Sequence, residues 1–222
     1  MTTGVRMTRE QVRQRIMDIG IVPVVRASSA DQARKAAEAV CAGGIPIVEL
    51  TMTVPGAIEL IADLRRTLDS EVLIGAGTVL DAQAAQQCIA AGADFIVSPG
   101  FDLATVQIAG QVGKLIMAGA LTPTEVIAAW KAGSDFVKIF PCGSVGGAKY
   151  LKALKGPLPQ VPMVPTGGVN LETAADFIRA GAEALGIGGE LISPSALKSG
   201  NTEEITRLAA QYLEIVRQAR AA

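Results

Sequence analysis

The sequence predicts an α/β fold, a (β/α)8 barrel of the TIM-barrel type with one additional N-terminal helix, formed by residues 1–222 as a single domain. The main observation is a repeat in which a helix ends at Ala-Gly and an apolar strand follows after a tight turn. One strand and one helix of a barrel take about 25 residues, and the copies begin about 40 to 50 residues apart, so each interval holds two such units. Four copies therefore predict eight strands. The copies occupy residues 42–51, 91–100, 132–141 and 180–189.

Strands and helices alternate strictly along the chain, which is typical of a parallel sheet. Besides the strands of the repeat, we predict strands at residues 21–26, 72–75, 115–118 and 161–166. Apolar residues at helical spacing predict helices at 28–40, 81–91, 103–111, 123–132, 147–154, 171–180 and 201–220. The additional helix begins after Thr8, which forms a capping-box pattern with Gln11, and it ends at Gly20. Eight units in 222 residues favour a closed barrel over an open doubly wound sheet.

The composition excludes several classes of function. Hydrophobic residues make up 50% of the chain and charged residues 18%, which excludes a disordered protein. The net charge is −1 and there is no basic cluster, so we expect a small-molecule partner and neither nucleic acid nor a membrane. No apolar run reaches the roughly 18 residues of a transmembrane helix, and the N-terminus lacks the apolar region of a signal peptide. A cytoplasmic location is therefore expected.

The chain contains no histidine, which excludes Ser/His triads, Cys/His pairs and histidine-ligated metals. Any chemistry has to use Lys, Glu, Asp, Arg, Thr or Cys, and we expect neither a metal nor a cofactor. The three cysteines, Cys41, Cys88 and Cys142, are widely spaced and lie outside any CxxC motif. Reduced thiols are therefore expected rather than disulfides.

Lys138 is the residue of the predicted strands that most needs an explanation. It lies in the middle of the apolar run 135–141, where Phe136 and Phe140 share its face of the strand. Burial there disfavours the charged ammonium, and a neutral amine can attack a carbonyl carbon to form a Schiff base. The alternative is an ordinary strand lysine that reaches solvent or pairs with an acid.

Other polar residues lie at or near the ends of the predicted strands, where a barrel places its active site. The set comprises Arg26, Glu49, Thr51, Thr78 and Thr166. For Glu49 the alternative is a buried ion pair, and for the threonines it is the ordinary preference of threonine for strands.

Two glycine groups follow the seventh and eighth strands: Gly167-Gly168, with Asn170 as a predicted helix cap, and Gly188-Gly189. Barrels often hold a phosphate at this place, so the exposed N–H groups predict a phosphate or carboxylate site. The alternative is a pair of tight turns.

These residues carry a family resemblance, through VELT at Glu49, GAGT ending at Thr78, SPG around Pro99, DFVKIFP around Lys138, and PTGGVN at 165–170. In this order the motifs cover nearly the whole chain. The sequence resembles the 2-keto-3-deoxy-6-phosphogluconate (KDPG) aldolase family, which includes 4-hydroxy-2-oxoglutarate aldolases.

The resemblance implies a metal-independent Schiff-base lyase, usually a homotrimer, that cleaves KDPG to pyruvate and glyceraldehyde 3-phosphate. It makes Lys138 the Schiff-base lysine and Glu49 the general acid/base. It also implies that Thr78, Pro99, Phe140 and Thr166 line the substrate pocket and that Gly167, Gly168, Gly188 and Gly189 bind phosphate. Thr51 is expected to be substrate-binding as well.

The chain departs from the family pattern at two places. Thr53 stands where several members have a carboxylate-binding arginine, and Arg26 ends the first strand, as in other members, so we assign carboxylate binding to Arg26 beside Thr53. Gly189-Glu190 stands where members often place a serine, and we expect Glu190 to turn away from a phosphate because the apolar Leu191 and Ile192 anchor the loop.

Three other activities are compatible with the same residues. The first is aldol cleavage of an unphosphorylated 2-keto acid such as 4-hydroxy-2-oxoglutarate. The second is decarboxylation of oxaloacetate through the same imine. The third is a barrel that binds a phosphate ligand without catalysis, with Lys138 and Glu49 as a buried ion pair.

Overall fold

The computed structural model describes residues 7–221, which form a (β/α)8 barrel preceded by one helix. All neighbouring strands are parallel, in the order β7-β6-β5-β4-β3-β2-β1-β8. A bridge between Thr166 and Gly186 joins the two ends of this order and closes the barrel. The strands are β1 (Ile21–Val25), β2 (Ile47–Thr51), β3 (Leu73–Gly77), β4 (Phe95–Val97), β5 (Leu115–Ala120), β6 (Phe136–Ile139), β7 (Met163–Pro165) and β8 (Leu185–Ile187).

Helices alternate with these strands on the outside of the barrel, and every strand residue is buried. A single 3-10 turn, Gly143–Val145, follows β6. Within residues 7–221 the helices are α1 (Arg9–Ile19), α2 (Ala30–Ala42), α3 (Ala57–Thr67), α4 (Ala82–Ala91), α5 (Leu103–Gln111), α6 (Pro123–Lys131), α7 (Ala148–Lys155), α8 (Ala174–Arg179), α9 (Pro194–Ser199) and α10 (Thr202–Ala221).

The predicted architecture is confirmed, and several predicted boundaries are wrong by a few residues. The N-terminal helix has the predicted capping box between Thr8 and Gln11. The helix predicted at 171–180 begins only at Ala174, because Asn170 caps a turn: its side-chain oxygen accepts from the N–H groups of Glu172 and Thr173. The strict alternation predicts a helix at the place of α3 but no bounds for it, and α9 is not predicted from the sequence.

The additional helix α1 packs against the end of the barrel at which the strands begin. The guanidinium of Arg9 donates to the carboxylate of Asp135 at 2.7 Å, just before β6. Arg13 lies over the ring of Phe136, the first residue of β6, at 5.7 Å from its centroid. Val12 and Ile16 bury the apolar side of the helix. The opposite end of the barrel is thereby left to the loops that follow the strands.

The acidic residue at the fourth position of the repeat has the same contacts in two copies. The N–H of Asp94 donates to the carbonyl of Ile74, and its carboxylate accepts from the N–H of Ile74 at 2.9 Å. Asp135 makes both contacts with Ile116, the second at 2.8 Å. These contacts hold the start of each strand against the strand before it. They explain why the fourth position of the repeat is acidic in these copies.

Each of these carboxylates also pairs with an arginine. Asp94 pairs with Arg65 of α3, and the side chains are 6% and 18% exposed. Loss of such a buried carboxylate destabilises the fold, because it leaves the buried guanidinium and the backbone N–H without partners.

Asp94→Ala should therefore lower the free energy of unfolding by about 3–5 kcal/mol. Asp31→Ala is the matched control, because Asp31 pairs with Lys35 on the exposed face of α2 and should leave stability almost unchanged. Urea unfolding followed by circular dichroism measures both. Equal midpoints for the two variants would contradict this account of the repeat.

Candidate active site

Lys138 and Glu49 meet inside the barrel. Lys138 lies on β6 and Glu49 on β2, and their side chains are 6% and 3% exposed. The Nζ atom of Lys138 is 3.7 Å from the Oε1 atom of Glu49, which is too long for a hydrogen bond. The buried Oε1 atom has no hydrogen-bond partner among the described residues. If the ion pair served only to stabilise the core, both groups would be expected to have hydrogen-bond partners. The geometry therefore favours a pair that binds a ligand.

The residues next to Lys138 in the sheet are uncharged. Its neighbours in the sheet are Gly119 on β5, which has no side chain, and Val164 on β7. The ring centroid of Phe140, just after β6, lies 5.5 Å from the amine. Glu49 is therefore the one acidic group placed beside the amine in the described chain.

Gly77 at the end of β3 makes room for the Glu49 side chain. A Cβ atom at this position would lie 2.0 Å from Oε1 and 2.6 Å from the carboxyl carbon of Glu49. Any larger residue would have to displace the carboxylate, since real Cβ contacts are never this short. The glycine thus determines where the carboxylate can lie.

Thr78, the next residue, has a backbone angle φ of 57°. A β-branched residue in this left-handed region costs about 1–3 kcal/mol and is kept only where the surroundings enforce it. The following N–H, that of Val79, donates to the carbonyl of Val97 on β4 at 3.1 Å. This contact fixes the strand end, and Thr78 remains half-buried beside the Glu49 pocket.

Pro99 is held at the mouth of the barrel by its neighbour Ser98. The Ser98 hydroxyl donates to the carbonyl of Gly100 at 2.7 Å and accepts from the N–H of Gly119 at 3.2 Å. A Cβ atom on Gly119 would lie 2.2 Å from the carbonyl carbon of Pro99. The loop after β4 therefore crosses directly over the strand next to Lys138.

Thr51, Thr53 and Arg26 lie together where β1 and β2 end. The buried Thr51 hydroxyl donates to the carbonyl of Val25 at 3.0 Å, and its oxygen lies 2.7 Å from the Thr53 hydroxyl. Because Thr51 has used its only proton, Thr53 must be the donor between the two. Arg26 is exposed, lies one residue past the end of β1, and has no acidic partner within the described residues.

The glycine groups lie on neighbouring loops after β7 and β8. The N–H groups of Gly168, Gly188 and Gly189 donate to no acceptor in residues 7–221, which leaves three donors for an anion. Thr166 is buried at the seam of the barrel, where its hydroxyl lies over Gly186. As expected, Leu191 and Ile192 are buried and Glu190 is exposed.

The remaining candidates for chemistry are less suited to it. Cys142 follows the site strand, but burial raises the pKa of its thiol to about 11, so it is not a thiolate at neutral pH. The cysteines of the chain are free, as predicted. Residues 7–221 contain no cluster of three His, Cys, Asp or Glu residues that could hold a metal ion. In the same range, no helix is both long and apolar enough to cross a membrane.

Known proteins are similar to this chain in sequence and in fold. The family model described as KDPG and KHG aldolase matches residues 12–208. The chain belongs to this aldolase family. The 2-dehydro-3-deoxy-phosphogluconate aldolase of Treponema pallidum is 37% identical over 199 residues, which cover 89% of this chain and 94% of that protein.

Two solved structures extend the comparison with this aldolase family. A KDPG aldolase from Legionella pneumophila, with pyruvate captured as a covalent carbinolamine intermediate, is 30% identical with a TM-score of 0.83, over 90% of this chain and 97% of that one. A cube-shaped protein cage, designed by fusing symmetric oligomeric domains, is 29% identical with a TM-score of 0.83, over 91% of this chain and 74% of that one.

The structure brings the predicted lysine and glutamate together and adds positioning residues that the sequence did not identify. The sequence assigns Gly77, Ser98 and Gly119 no role of their own. Gly77 lies in the GAGT motif and Ser98 in the SPG motif, but neither motif shows what these residues contact. What distinguishes them is contact with residues from other strands.

Gly77→Ala should reduce turnover at least tenfold, because the added methyl group displaces the Glu49 carboxylate. Gly110→Ala is the control, since that glycine lies in α5 and the nearest atom to its Cβ position is 3.9 Å away. Pyruvate release is measured for both variants after circular dichroism shows that each is folded. Wild-type turnover in folded Gly77→Ala would contradict the positioning role.

Proposed function

We propose that this chain is a Schiff-base (class I) aldolase that cleaves KDPG to pyruvate and glyceraldehyde 3-phosphate. The observation that carries the proposal is the buried Lys138 amine, 3.7 Å from a Glu49 carboxylate oxygen that has no hydrogen-bond partner in the described chain. Membership of the KDPG and KHG aldolase family supports the reaction class. The covalent pyruvate adduct in the Legionella relative supports an imine route.

The proposed cleavage begins when the neutral Lys138 amine adds to the C2 carbonyl of the 2-keto acid and water leaves. The resulting protonated imine accepts the electron pair of the C3–C4 bond. Glu49, directly or through one water, takes the proton of the C4 hydroxyl as the bond breaks and the aldehyde forms. Glu49 then returns a proton to the enamine carbon, and water releases pyruvate from Lys138. The imine serves as the electron sink, so the scheme includes no metal or cofactor.

The other predicted residues are assigned to substrate binding. Thr78, Pro99, Phe140 and Thr166 line the pocket around the lysine. Arg26 binds the keto-acid carboxylate beside Thr53, while Thr51 supports Thr53 through the hydroxyl contact. The N–H groups of Gly167, Gly168, Gly188 and Gly189 surround the phosphate.

The proposal includes a homotrimer of single-domain subunits, residues 1–222, acting in the cytoplasm. The cage built from symmetric oligomeric domains supports self-association of this fold. Two exposed apolar side chains support it further: Leu80, which follows β3, is 63% exposed, and Leu103, the first residue of α5, is 49% exposed. A second copy would cover both.

Lys138 should form a covalent imine with pyruvate, in buffer that contains EDTA because the scheme needs no metal. Borohydride reduces the imine to a stable amine, and peptide mass spectrometry locates the added mass. Lys155 is the internal control: it is also largely buried, at 13% exposure, but it pairs with Glu183 far from the lumen face. An unmodified Lys138 peptide at saturating pyruvate would rule out the mechanism.

Glu49→Gln should lower kcat by roughly 10²- to 10⁴-fold, because it keeps the shape of the side chain and removes the proton acceptor. Imine trapping with pyruvate should still succeed, which separates proton transfer from lysine reactivity. Near-normal turnover in this variant would mean that another group moves the proton.

The phosphorylated substrate should have the higher kcat/KM, by about tenfold or more if phosphate binding contributes 1.4 kcal/mol to the transition state. The free glycine N–H groups favour this anion, and Glu190 is exposed. KDPG and 4-hydroxy-2-oxoglutarate are compared side by side. Equal or reversed values would make the unphosphorylated acid the substrate.

A further inference from the structure

Next to the proposed substrate site there is a cleft of about 520 Å³, in which the proposed function uses Arg26 and Thr53 and leaves Gln32 and Lys198 without a role. Its walls are the loop after β1, the first turn of α2, the loop after β2, and α9. The polar residues that line it are Arg26, Ser28, Gln32, Thr53 and Lys198, and the other lining residues are apolar. We call it the Arg26 cleft. None of its lining residues is acidic.

The hydrogen bonds within the Arg26 cleft leave some of its N–H donors without acceptors. Gln32 accepts through its side-chain oxygen from the hydroxyl of Ser28 at 2.8 Å and from the N–H of Ser28 at 3.3 Å. The backbone N–H can only donate, so the oxygen of the Gln32 amide faces Ser28 and its NH₂ group is left without an acceptor in the described chain.

The two cations of the cleft are also unpaired. Neither Arg26 nor Lys198 has an acidic partner within 4.0 Å among residues 7–221. Asp31, the acid on the adjoining turn of α2, pairs instead with Lys35 at 2.8 Å. The cleft thus presents a guanidinium, an ammonium and an amide NH₂, and a set made only of donors with two positive charges suits an oxyanion.

Arg26 connects the cleft to the glycine loops. Its Nη1 atom lies 3.9 Å from the point where a Cβ atom on Gly188 would lie. An oxyanion near Gly188 and Gly189 therefore lies at the edge of the cleft, and the guanidinium has five N–H donors, enough to serve more than one anionic group.

We propose that Lys198 and Gln32, together with Arg26, form a subsite for the terminal anionic group, phosphate or carboxylate, of the aldehyde half of the substrate. Lys198 and Gln32 are then specificity-determining residues. Lys198 and Arg26 supply positive charge to this subsite, whereas Gly189 in the loop after β8 offers only its backbone N–H group. The inference rests on the proposed aldolase function for its substrate.

The test uses three substrates: KDPG, 4-hydroxy-2-oxoglutarate, and 2-keto-3-deoxygluconate, whose aldehyde half is neutral. Lys198→Gln should raise KM for the anionic substrates about twofold to fivefold, the range for one exposed charge, and leave the neutral substrate unchanged. Gln32→Glu keeps the acceptor for Ser28 but pairs with the cleft cations, so it should raise KM further. Lys152→Gln, on the exposed side of α7, is the charge-matched control.

A rise for both anionic substrates, or for KDPG alone, supports the subsite and identifies its occupant. Unchanged KM values in Lys198→Gln, or an equal rise for the neutral substrate, would overturn it. Titration calorimetry with inorganic phosphate gives a readout without turnover: Lys198→Gln should weaken phosphate binding relative to Lys152→Gln, and equal affinities would overturn the subsite. If wild type releases no pyruvate from any substrate, the aldolase proposal fails while this binding comparison still decides the subsite.

Discussion

The structure of the site depends on one interaction, the close but unbonded approach of Lys138 and Glu49 inside the barrel. A buried carboxylate oxygen without a hydrogen bond is unfavourable for stability. It is useful for chemistry, because a substrate hydroxyl can supply the missing donor at the moment it reacts. At 3.7 Å the carboxylate oxygen is not hydrogen-bonded to the Lys138 amine, so it can accept from that hydroxyl.

The close approach of Lys138 and Glu49 requires space, which glycines on neighbouring strands provide because they have no side chain. Gly77 leaves room for the carboxylate, and Gly119 lets the Pro99 loop cross next to the lysine. The stabilising contacts lie at the other end of the barrel, where Asp94 and Asp135 bind the strand starts to the preceding strands and pair with arginines. The division follows the general plan of these barrels, in which one end carries stability and the other the site.

The fold could be predicted because its signals are local. The Ala-Gly repeat marks where each helix ends and the next strand begins, and the alternation of side chains along β6 placed Lys138 in the lumen. The bounds of α3 could not be predicted, because the helix begins after Gly56 without a side-chain cap. Asn170 was misassigned because an Asx turn and a helix cap share one pattern.

The positioning residues could not be predicted, because their roles depend on contacts between strands distant in sequence. The Ser98 hydroxyl matters through Gly119, and Gly77 through Glu49. A local contact acts in the Arg26 cleft, where Ser28 occupies the side-chain oxygen of Gln32, four residues later, and leaves its NH₂ group free. Sequence shows which groups are available, and tertiary contact decides which of their atoms remain free.

Where β1 and β2 end, Arg26 carries a positive charge and Thr53 carries none. With an overall charge of −1, the chain has no general attraction for a substrate that carries a carboxylate and a phosphate. Attraction must then come from local groups. Arg26, one residue past the end of β1, lines the same cleft as Thr53 and lies near Gly188. In the proposed site this cation lies between the carboxylate and the phosphate of the substrate, a place that position 53, after β2 and one strand further from β8, does not offer.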